Sequence, residues 1–223
     1  MSKKVENELL KIYPNCNCKK LFLPIITDNK TCINSMDAKI KIGLSRNKVT
    51  FLFFGLIRQY KGLDILLSAI NNIDENLKDN FECMIVGESY ENINHYKSIL
   101  KENVSANILW VNDYVSDDKV DLYFSAADYV VLPYKTASQS AIIPMAYYYN
   151  TPVIISDLDG LKEFVDNNKT GFVFPALDII KLTDILNMVI LNNNSNEMFL
   201  QIEKIKKKMS TKEFSKEVIS FIS

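Results

Sequence analysis

The chain has 223 residues, of which 48% are hydrophobic and 24% charged, and its 26 Lys and Arg residues nearly balance 27 Asp and Glu residues. A chain of this length can bury a sizeable core, so we expect a globular fold with one large domain or one and a half smaller ones. The formal net charge of −1 argues against nucleic acid as a partner, and no apolar run approaches the roughly 18 residues that a membrane span needs.

The four cysteines and the single histidine do not have the spacing of a structural zinc site. They lie at Cys16, Cys18, Cys32, Cys83 and His95, whereas zinc motifs separate paired ligands by about two to four residues. We therefore expect no bound metal, reduced thiols with Cys83 buried in a strand, and a cytoplasmic protein. His95 is expected on a helix surface, without a chemical role.

Short runs of β-branched and aromatic residues alternate with helix-period segments from residue 49 onward. The runs predict strands at Val49–Phe54, Cys83–Val86, Ile108–Val111, Tyr129–Leu132, Val153–Ile155 and Phe172–Phe174. Helices are predicted near Asp64–Ile73, Asn92–Glu102, Asp117–Ala126, Ile142–Tyr149, Leu161–Val165 and Asp178–Leu191, with Ser116 and Asp178 as N-caps. Because near-continuously apolar strands are buried on both faces, the pattern predicts a doubly wound α/β fold, a parallel sheet with helices on both sides.

The two ends of the chain fit this alternation less well, so we divide it into residues 1–48, 49–191 and 192–223. The first part has the pattern of a helix (KKVENELLKIY), a short strand (KKLFLPI) and a polar connection. The last part begins with an asparagine-rich break, LNNNSNEM, and continues with a helical IEKIKKKM and a final helix in TKEFSKEVISFIS. The KIKKK run favours a solvated helix face, with peripheral contact to a membrane surface as the alternative.

Two loops at the carboxyl edge of the predicted sheet carry groups that suit an anion. In the common doubly wound strand order the first and fourth strands flank the ligand crevice, so the loops Gly55–Gly62 and Pro133–Ala141 should face each other. The first loop brings Arg58 and Lys61, and the second brings serine hydroxyls and leads into a helix whose free N–H groups favour negative charge. The pattern predicts a diphosphate cleft, with surface cations of an ordinary turn as the alternative.

Larger segments of the chain carry a further pattern: FLFFGLIRQYKGLDILL, FECMIVGES, DYVSDDKVDLYFSAADYVVLPYKTASQS and NTPVIISDLDGLKEFVDNNKTGFVF. In order and spacing they resemble the C-terminal domain of GT-B glycosyltransferases of family 4, over about residues 49–176. The resemblance implies that this half binds a nucleotide-sugar donor, while a separate N-terminal Rossmann-like domain supplies the acceptor site and the usual catalytic histidine. Residues 1–26 resemble the end of that N-terminal domain, so we expect a fragment or one subunit of a split enzyme.

Residue by residue, the resemblance implies a Rossmann-like donor site. Arg58 and Lys61 would pair with the donor diphosphate and stabilise its charge, without a catalytic residue in this chain and without a metal or other cofactor. The base would pack near Tyr114 and Val115. The other expected donor-binding residues are Gly55, Gly87, Tyr134, Ser138, Gln139, Ser140, Ala141 and Ile142, the last three through helix N–H groups.

The sequence departs from the family where two glutamates usually stand, one near the transferred sugar and one on the ribose hydroxyls. Ala137 and Met145 replace them, which resembles a Ser-Gln-Ser-Gly subgroup with Ala141 in place of its glycine. The resemblance implies half of a retaining hexosyltransferase that moves a sugar from a nucleotide diphosphate to a glycan or lipid-linked acceptor in surface polysaccharide synthesis, nearly inactive without its N-terminal domain. The alternative is a non-catalytic GT-B-like subunit that docks a partner. A sugar-nucleotide epimerase shares the fold, but the missing carboxylates and histidines disfavour it.

Overall fold

The computed structural model describes residues 3–21, 24–25, 33–101, 104, 107–193 and 195–222, and its centre is a six-stranded parallel sheet. The strands are β1 Val49–Phe54, β2 Phe81–Val86, β3 Ile108–Val111, β4 Tyr129–Leu132, β5 Val153–Ser156 and β6 Gly171–Phe174. Their order across the sheet is β3-β2-β1-β4-β5-β6, and each neighbouring pair is parallel. The doubly wound α/β fold predicted from the sequence is confirmed.

The apolar runs form strands because both faces of the sheet are covered. All residues of β4 and β5 are buried, as are those of β1 except Phe54, whereas the edge strand β3 is only half-buried. A strand covered on both faces does not need to alternate polar and apolar residues. The six strands predicted from residue 49 onward therefore match the structure to within two residues at each end.

The helices lie around this sheet. The described residues give the bounds of α1 Lys3–Ile12, α2 Ser35–Ile42, α3 Leu63–Asn71, α4 Ile93–Lys97, α5 Asp117–Ala126, α6 Ile142–Tyr148, α7 Asp159–Lys162, α8 Ile179–Leu191, α9 Ser195–Lys208 and α10 Thr211–Ile222, with 3-10 turns at Gln59–Lys61 and Glu75–Asn80. Asp178 caps α8, since its side chain accepts a hydrogen bond from the Lys181 N–H at 2.9 Å. Ser116 occupies the N-cap position of α5, as predicted, but its side chain makes no capping hydrogen bond.

Part of the predicted polar connection is helical. Helix α2 begins after Asn34, whose side chain accepts from the Met36 N–H at 2.9 Å, and ends at Gly43. Lys39 lies on its buried face, 4% exposed, and its ammonium contacts Asp128 Oδ2 at 2.7 Å and the Lys48 carbonyl at 2.9 Å. Because a lysine stands at a buried position of this helix, the sequence lacks the regular spacing of apolar residues from which a helix is predicted.

Three further boundary predictions are corrected. Of the predicted strand KKLFLPI, the described residues form only an isolated bridge from Ile25 to Ser210. Helix α4 ends at Lys97 rather than extending toward residue 102, because the Asn71 side chain takes the Ile99 carbonyl and the Lys101 N–H that would continue it. The asparagine-rich break is short, since α9 already begins at Ser195.

The cysteines and the histidine lie as predicted where the structure describes them. Cys83 is fully buried, and burial raises the pKa of its thiol to about 12. His95 is exposed on α4, and Cys16 and Cys18 are half-buried free thiols; Cys32 lies outside the described residues. Among these residues no group of three or more His, Cys, Asp or Glu side chains is arranged to hold a metal ion, and no helix is long and apolar enough to cross a membrane.

Candidate functional site

The loops that follow β1 and β4 adjoin at the carboxyl edge of the sheet. The Lys135 N–H donates to the Tyr60 carbonyl at 2.7 Å, and the Lys135 ammonium contacts Asp64 Oδ2 at 2.7 Å. The rings of Tyr60 and Tyr134 meet edge to face with centroids 6.0 Å apart. The loop after β1 is thus joined to the loop after β4 by backbone, charge and ring contacts, which confirms that the two predicted loops face each other.

Gly62 allows these two walls to come so close. Its φ is +69°, and a Cβ at this position would overlap the carbonyl oxygen of Pro133. A residue with a side chain would have to move the β4 loop away and adopt a strained backbone as well. Gly62 therefore sets the separation of the loops and also lets α3 begin directly after the turn Gln59–Lys61.

Lys61 carries a charge that is nearly removed from water. Its side chain is 8% exposed, its Nζ lies 2.9 Å from the position of a Cβ on Gly55, and the Tyr134 ring centroid is 6.0 Å away. Among the described residues no ion pair involves Lys61. Burial without a carboxylate partner lowers the pKa of Lys61 to about 8. An anion placed beside this ammonium would offset the cost of its desolvation.

Gly55 provides the space that this ammonium occupies. Its φ is +95°, a conformation that side-chain-bearing residues rarely adopt, and its N–H donates to the Val86 carbonyl at 2.9 Å. Gly87, at the end of β2, packs so closely that a Cβ there would overlap the Gly55 carbonyl oxygen. The backbones of these two neighbouring strand ends thus pack directly against each other, with no side chain between them.

Arg58 lies in different surroundings from Lys61. It is exposed, and its guanidinium carbon lies 4.7 Å from the ring centroid of Tyr90, which is itself 64% exposed. This is cation–π geometry, so the ring holds the guanidinium at the mouth of the cleft. Tyr90 was missed by the sequence analysis, because an exposed tyrosine in a loop carries no positional signal.

The wall formed by the β4 loop presents polar side chains above a buried tyrosine. Ser138, Gln139 and Ala141 are exposed, while Tyr134 is 4% exposed, and burial raises the pKa of its hydroxyl to about 12. Ser140 Oγ accepts a hydrogen bond from the Ile142 N–H at 3.2 Å. That N–H therefore has a partner already, and a phosphate would share it with Ser140 or replace Ser140.

The loop after β3 forms the far end of the same edge. Tyr114 is 75% exposed, and its N–H donates to its neighbour Asp113 Oδ1 at 2.8 Å. Val115 is half-buried and packs against the core. Because β3, β2 and β1 are neighbours, a row of backbone runs from Tyr114 past Gly87 to Lys61, and an extended ligand would lie along it.

Ala137 and Met145 stand at the two positions where the family that the sequence resembles usually has glutamates. Both side chains are half-buried and pack against the apolar core. The arrangement therefore offers cations and hydroxyls to a ligand but no carboxylate from these two positions. Chemically this arrangement can hold an extended anion.

Comparison with known proteins gives a consistent result. The family model described as "Glycosyl transferases group 1" matches residues 35–208. The chain is 26% identical over 144 residues to an uncharacterized 41.2 kDa protein in the cps region of Klebsiella pneumoniae, covering 65% of this chain and 37% of that protein. It is 27% identical over 208 residues to a glycogen synthase of Thermodesulfovibrio yellowstonii, covering 90% of this chain and 40% of that enzyme. It thus spans well under half the length of these curated relatives.

A solved structure shares the fold. The C-terminal domain of the group 1 family glycosyl transferase LpcC from Francisella tularensis superposes with a TM-score of 0.70 at 14% identity, covering 80% of this chain and 94% of that one. At this identity the likeness concerns the fold alone.

Proposed function

This chain belongs to the glycosyl transferases group 1 family, whose model matches most of its length, and we propose that it is the donor-binding half of a glycosyltransferase. The family implies a nucleotide-sugar donor. The observation that carries the proposal is Lys61, a buried ammonium without a carboxylate partner among the described residues, at the strand edge where doubly wound folds bind their ligands.

The physical task of this site is to stabilise negative charge on a diphosphate. As a glycosyl bond breaks, charge builds on the leaving diphosphate, and a fixed cation in a poorly hydrated cleft stabilises that charge better than water does. The ammonium of Lys61 is already largely desolvated in the folded chain. Binding a diphosphate therefore requires less further desolvation of this ammonium than it would for a lysine exposed to water. Arg58 would add a bidentate donor after leaving the ring of Tyr90.

Several finer features belong to the proposal. We propose retaining transfer of a hexose to a glycan or lipid-linked acceptor, in the cytoplasm, without a metal, and in a surface-polysaccharide pathway, which agrees with the cps-region relative. The Ser-Gln-Ser-Gly type of donor loop, with Ala137 and Met145 in place of carboxylates, is part of this proposal. So is the need for an N-terminal domain or partner chain, because closure between two domains would exclude water from the cleft.

A second candidate is a non-catalytic subunit that keeps the fold and docks a partner. The observation in its favour is that Ala137 and Met145 pack against the core and supply no carboxylate. Co-expression of this chain with an N-terminal half from the same source distinguishes the two. Sugar transfer that depends on Lys61 excludes the non-catalytic subunit, and a complex without any transfer supports it.

Calorimetric titration with UDP, GDP and ADP tests donor binding. We expect saturable binding of at least one of them, reduced about 100-fold or more when Arg58→Ala is combined with Lys61→Met, since two charged hydrogen bonds are lost. Lys181→Ala is the matched control, because Lys181 is an exposed lysine on α8 whose contact is with Asp184. Absence of binding at millimolar concentration, or equal binding by both variants, would contradict the proposal.

A further inference from the structure

The segment Ser89–Glu91, just beyond the end of β2, contacts the loop that carries Arg58 and Lys61. Ile57 pairs with Ser89 in an isolated parallel bridge, and the Ile57 N–H donates to the Glu88 carbonyl at 2.8 Å. The two loops therefore run side by side past the last residues of their strands. None of these residues belongs to the donor site expected from the sequence.

Glu91 makes the decisive contact within this segment. Its Oε1 accepts a hydrogen bond from the Gln59 N–H at 2.7 Å, and its Oε2 accepts one from the Tyr96 hydroxyl. Gln59 stands between Arg58 and Lys61 and begins the 3-10 turn that orients both of them. Both oxygens of the Glu91 side chain are therefore used, one on the turn and one on Tyr96, and this contact holds the start of the turn.

Tyr96 gives the carboxylate a rigid support. Its side chain is 4% exposed and belongs to the core, and burial together with the bond to Glu91 raises the pKa of its hydroxyl above the usual value. The phenol therefore stays a protonated donor to Glu91. The contact runs from the packed core through Glu91 to the turn that carries the cations.

Two neighbouring residues extend this arrangement to either side. Tyr90 holds the Arg58 guanidinium at 4.7 Å, and the Ser89 N–H donates to Asn112 Oδ1 at 2.8 Å, in the loop that leads to Tyr114. Ser89 Oγ also receives the Glu91 N–H at 3.2 Å and donates to the Glu91 carbonyl at 3.0 Å, which fixes the turn itself. The segment Ser89–Glu91 is thus linked both to the loop after β3, which leads to Tyr114, and to the loop after β1, which carries Arg58 and Lys61.

We infer that Glu91 is a positioning residue of the donor site, which holds the turn Gln59–Lys61 and so fixes the backbone from which Arg58 and Lys61 reach the diphosphate. This inference rests on the proposed donor-binding function. Glu91 acts through its hydrogen bond and not through its charge, since a negative charge close to a diphosphate is itself unfavourable. Its removal frees the turn, and the cations then lose their fixed direction when the ligand binds.

The test compares Glu91→Ala with Glu91→Gln, using calorimetry with UDP, GDP, ADP and inorganic pyrophosphate. Glu91→Gln keeps an oxygen that can accept from the Gln59 N–H, so we expect an affinity within about twofold of the unchanged chain, or tighter because a charge is removed. Glu91→Ala is expected to weaken binding of the best nucleoside diphosphate and of pyrophosphate about tenfold. The free nucleoside should bind as before, since it does not touch the cations.

Two controls keep the test decisive. Glu88→Ala removes the same charge at the same end of β2 but leaves the hydrogen bond from the Gln59 N–H to Glu91 in place, so diphosphate affinity should stay unchanged or become slightly tighter. Tyr96→Phe keeps the buried ring and removes only the hydroxyl that supports Glu91, so it provides a milder variant with an expected loss of about threefold even where Glu91→Ala folds poorly. Thermal unfolding of each variant separates lost affinity from lost fold.

The outcomes for the two proposals differ. If the unchanged chain binds no diphosphate, the donor-binding function fails, and the inference about Glu91 fails with it. If the unchanged chain binds but Glu91→Ala binds equally well, or Glu91→Gln is as weak as Glu91→Ala, donor binding stands and the positioning role is overturned.

Discussion

The ammonium of Lys61 lies over the bare backbone of Gly55, 2.9 Å from the point where a Cβ would stand. The lysine thus fills the space that the absent side chain leaves at the end of β1. Its charge is held beneath the surface rather than extended into water, and among the described residues no carboxylate pairs with it. The first two predictions follow from this relationship.

Diphosphate binding should weaken as Lys61 loses its proton. Because burial lowers the pKa of this lysine to about 8, we expect the affinity of the best-binding nucleoside diphosphate to fall about tenfold between pH 7 and pH 9. Lys61→Arg keeps a positive charge throughout this range and should show a flatter profile. The ratio of the two affinities, measured by calorimetry at each pH, cancels any titration of the ligand. A ratio that does not change with pH would contradict this assignment of the charge.

The same shift predicts how stability depends on pH in the ligand-free chain. The folded pKa of Lys61 is about 8 and the unfolded one 10.5, so the full cost of burying the charge is present below pH 8. Between those values the unfolded chain binds more protons, and the free energy of unfolding should rise with pH by roughly 2 to 3 kcal/mol. Lys61→Met removes the titrating group, so the difference between the two urea-denaturation profiles isolates this effect. A constant difference across that pH range would show that the lysine is well hydrated.

Gly62→Ala should disrupt the contact between the two walls. The new Cβ would overlap the Pro133 carbonyl oxygen in a backbone with φ of +69°, so we expect a loss of about 3 to 5 kcal/mol in unfolding free energy. Gly43 is the matched control, since its φ of +86° is similar but nothing lies within 4 Å of its Cβ position. Gly43→Ala should cost only about 1 kcal/mol, from backbone strain alone. Urea denaturation measures both, and equal losses would refute the steric account.

The buried ion pair between Lys39 and Asp128 should anchor α2. Asp128→Asn keeps an acceptor for the Thr50 N–H but leaves the ammonium of Lys39, whose side chain is 5% exposed, without its counter-charge. We expect a loss of about 3 kcal/mol, most of it recovered when Lys39→Met is added. Asp184→Asn, in the exposed pair with Lys181, should cost less than about 1 kcal/mol. Chemical denaturation of the unchanged chain and the three variants checks the pattern, and no recovery in the double variant would argue against an electrostatic cause.

The strands could be predicted from the sequence because burial on both faces leaves a local signature. Apolar runs such as Tyr129–Leu132 are bounded by turn residues, and nothing elsewhere in the chain is needed to recognise them. The meeting of the β1 and β4 loops was also predictable, because the strand order of a doubly wound sheet brings those two ends together. The same strand order puts Lys61 beside the cleft, but its burial could not be predicted, since Arg58 in the same loop is exposed.

What was missed depends on contacts between distant parts of the chain. Helix α2 was missed because Lys39 stands on its buried face, and the partner that allows this burial, Asp128, is far away in the sequence. The end of α4 is set by the side chain of Asn71, which competes for its backbone groups. The contact of Glu91 with Gln59 requires the register of two loops, which no local pattern encodes.

The bond from Lys135 to Tyr60 joins the walls of the cleft through backbone atoms alone. Substitutions at either position leave this bond in place unless proline removes the N–H of residue 135. The width of the crevice is therefore set by the backbone of the fold. Which ligand binds there is set by side chains such as Lys61. Side-chain substitutions along this crevice can therefore change which ligand is bound while the backbone that forms the crevice stays the same.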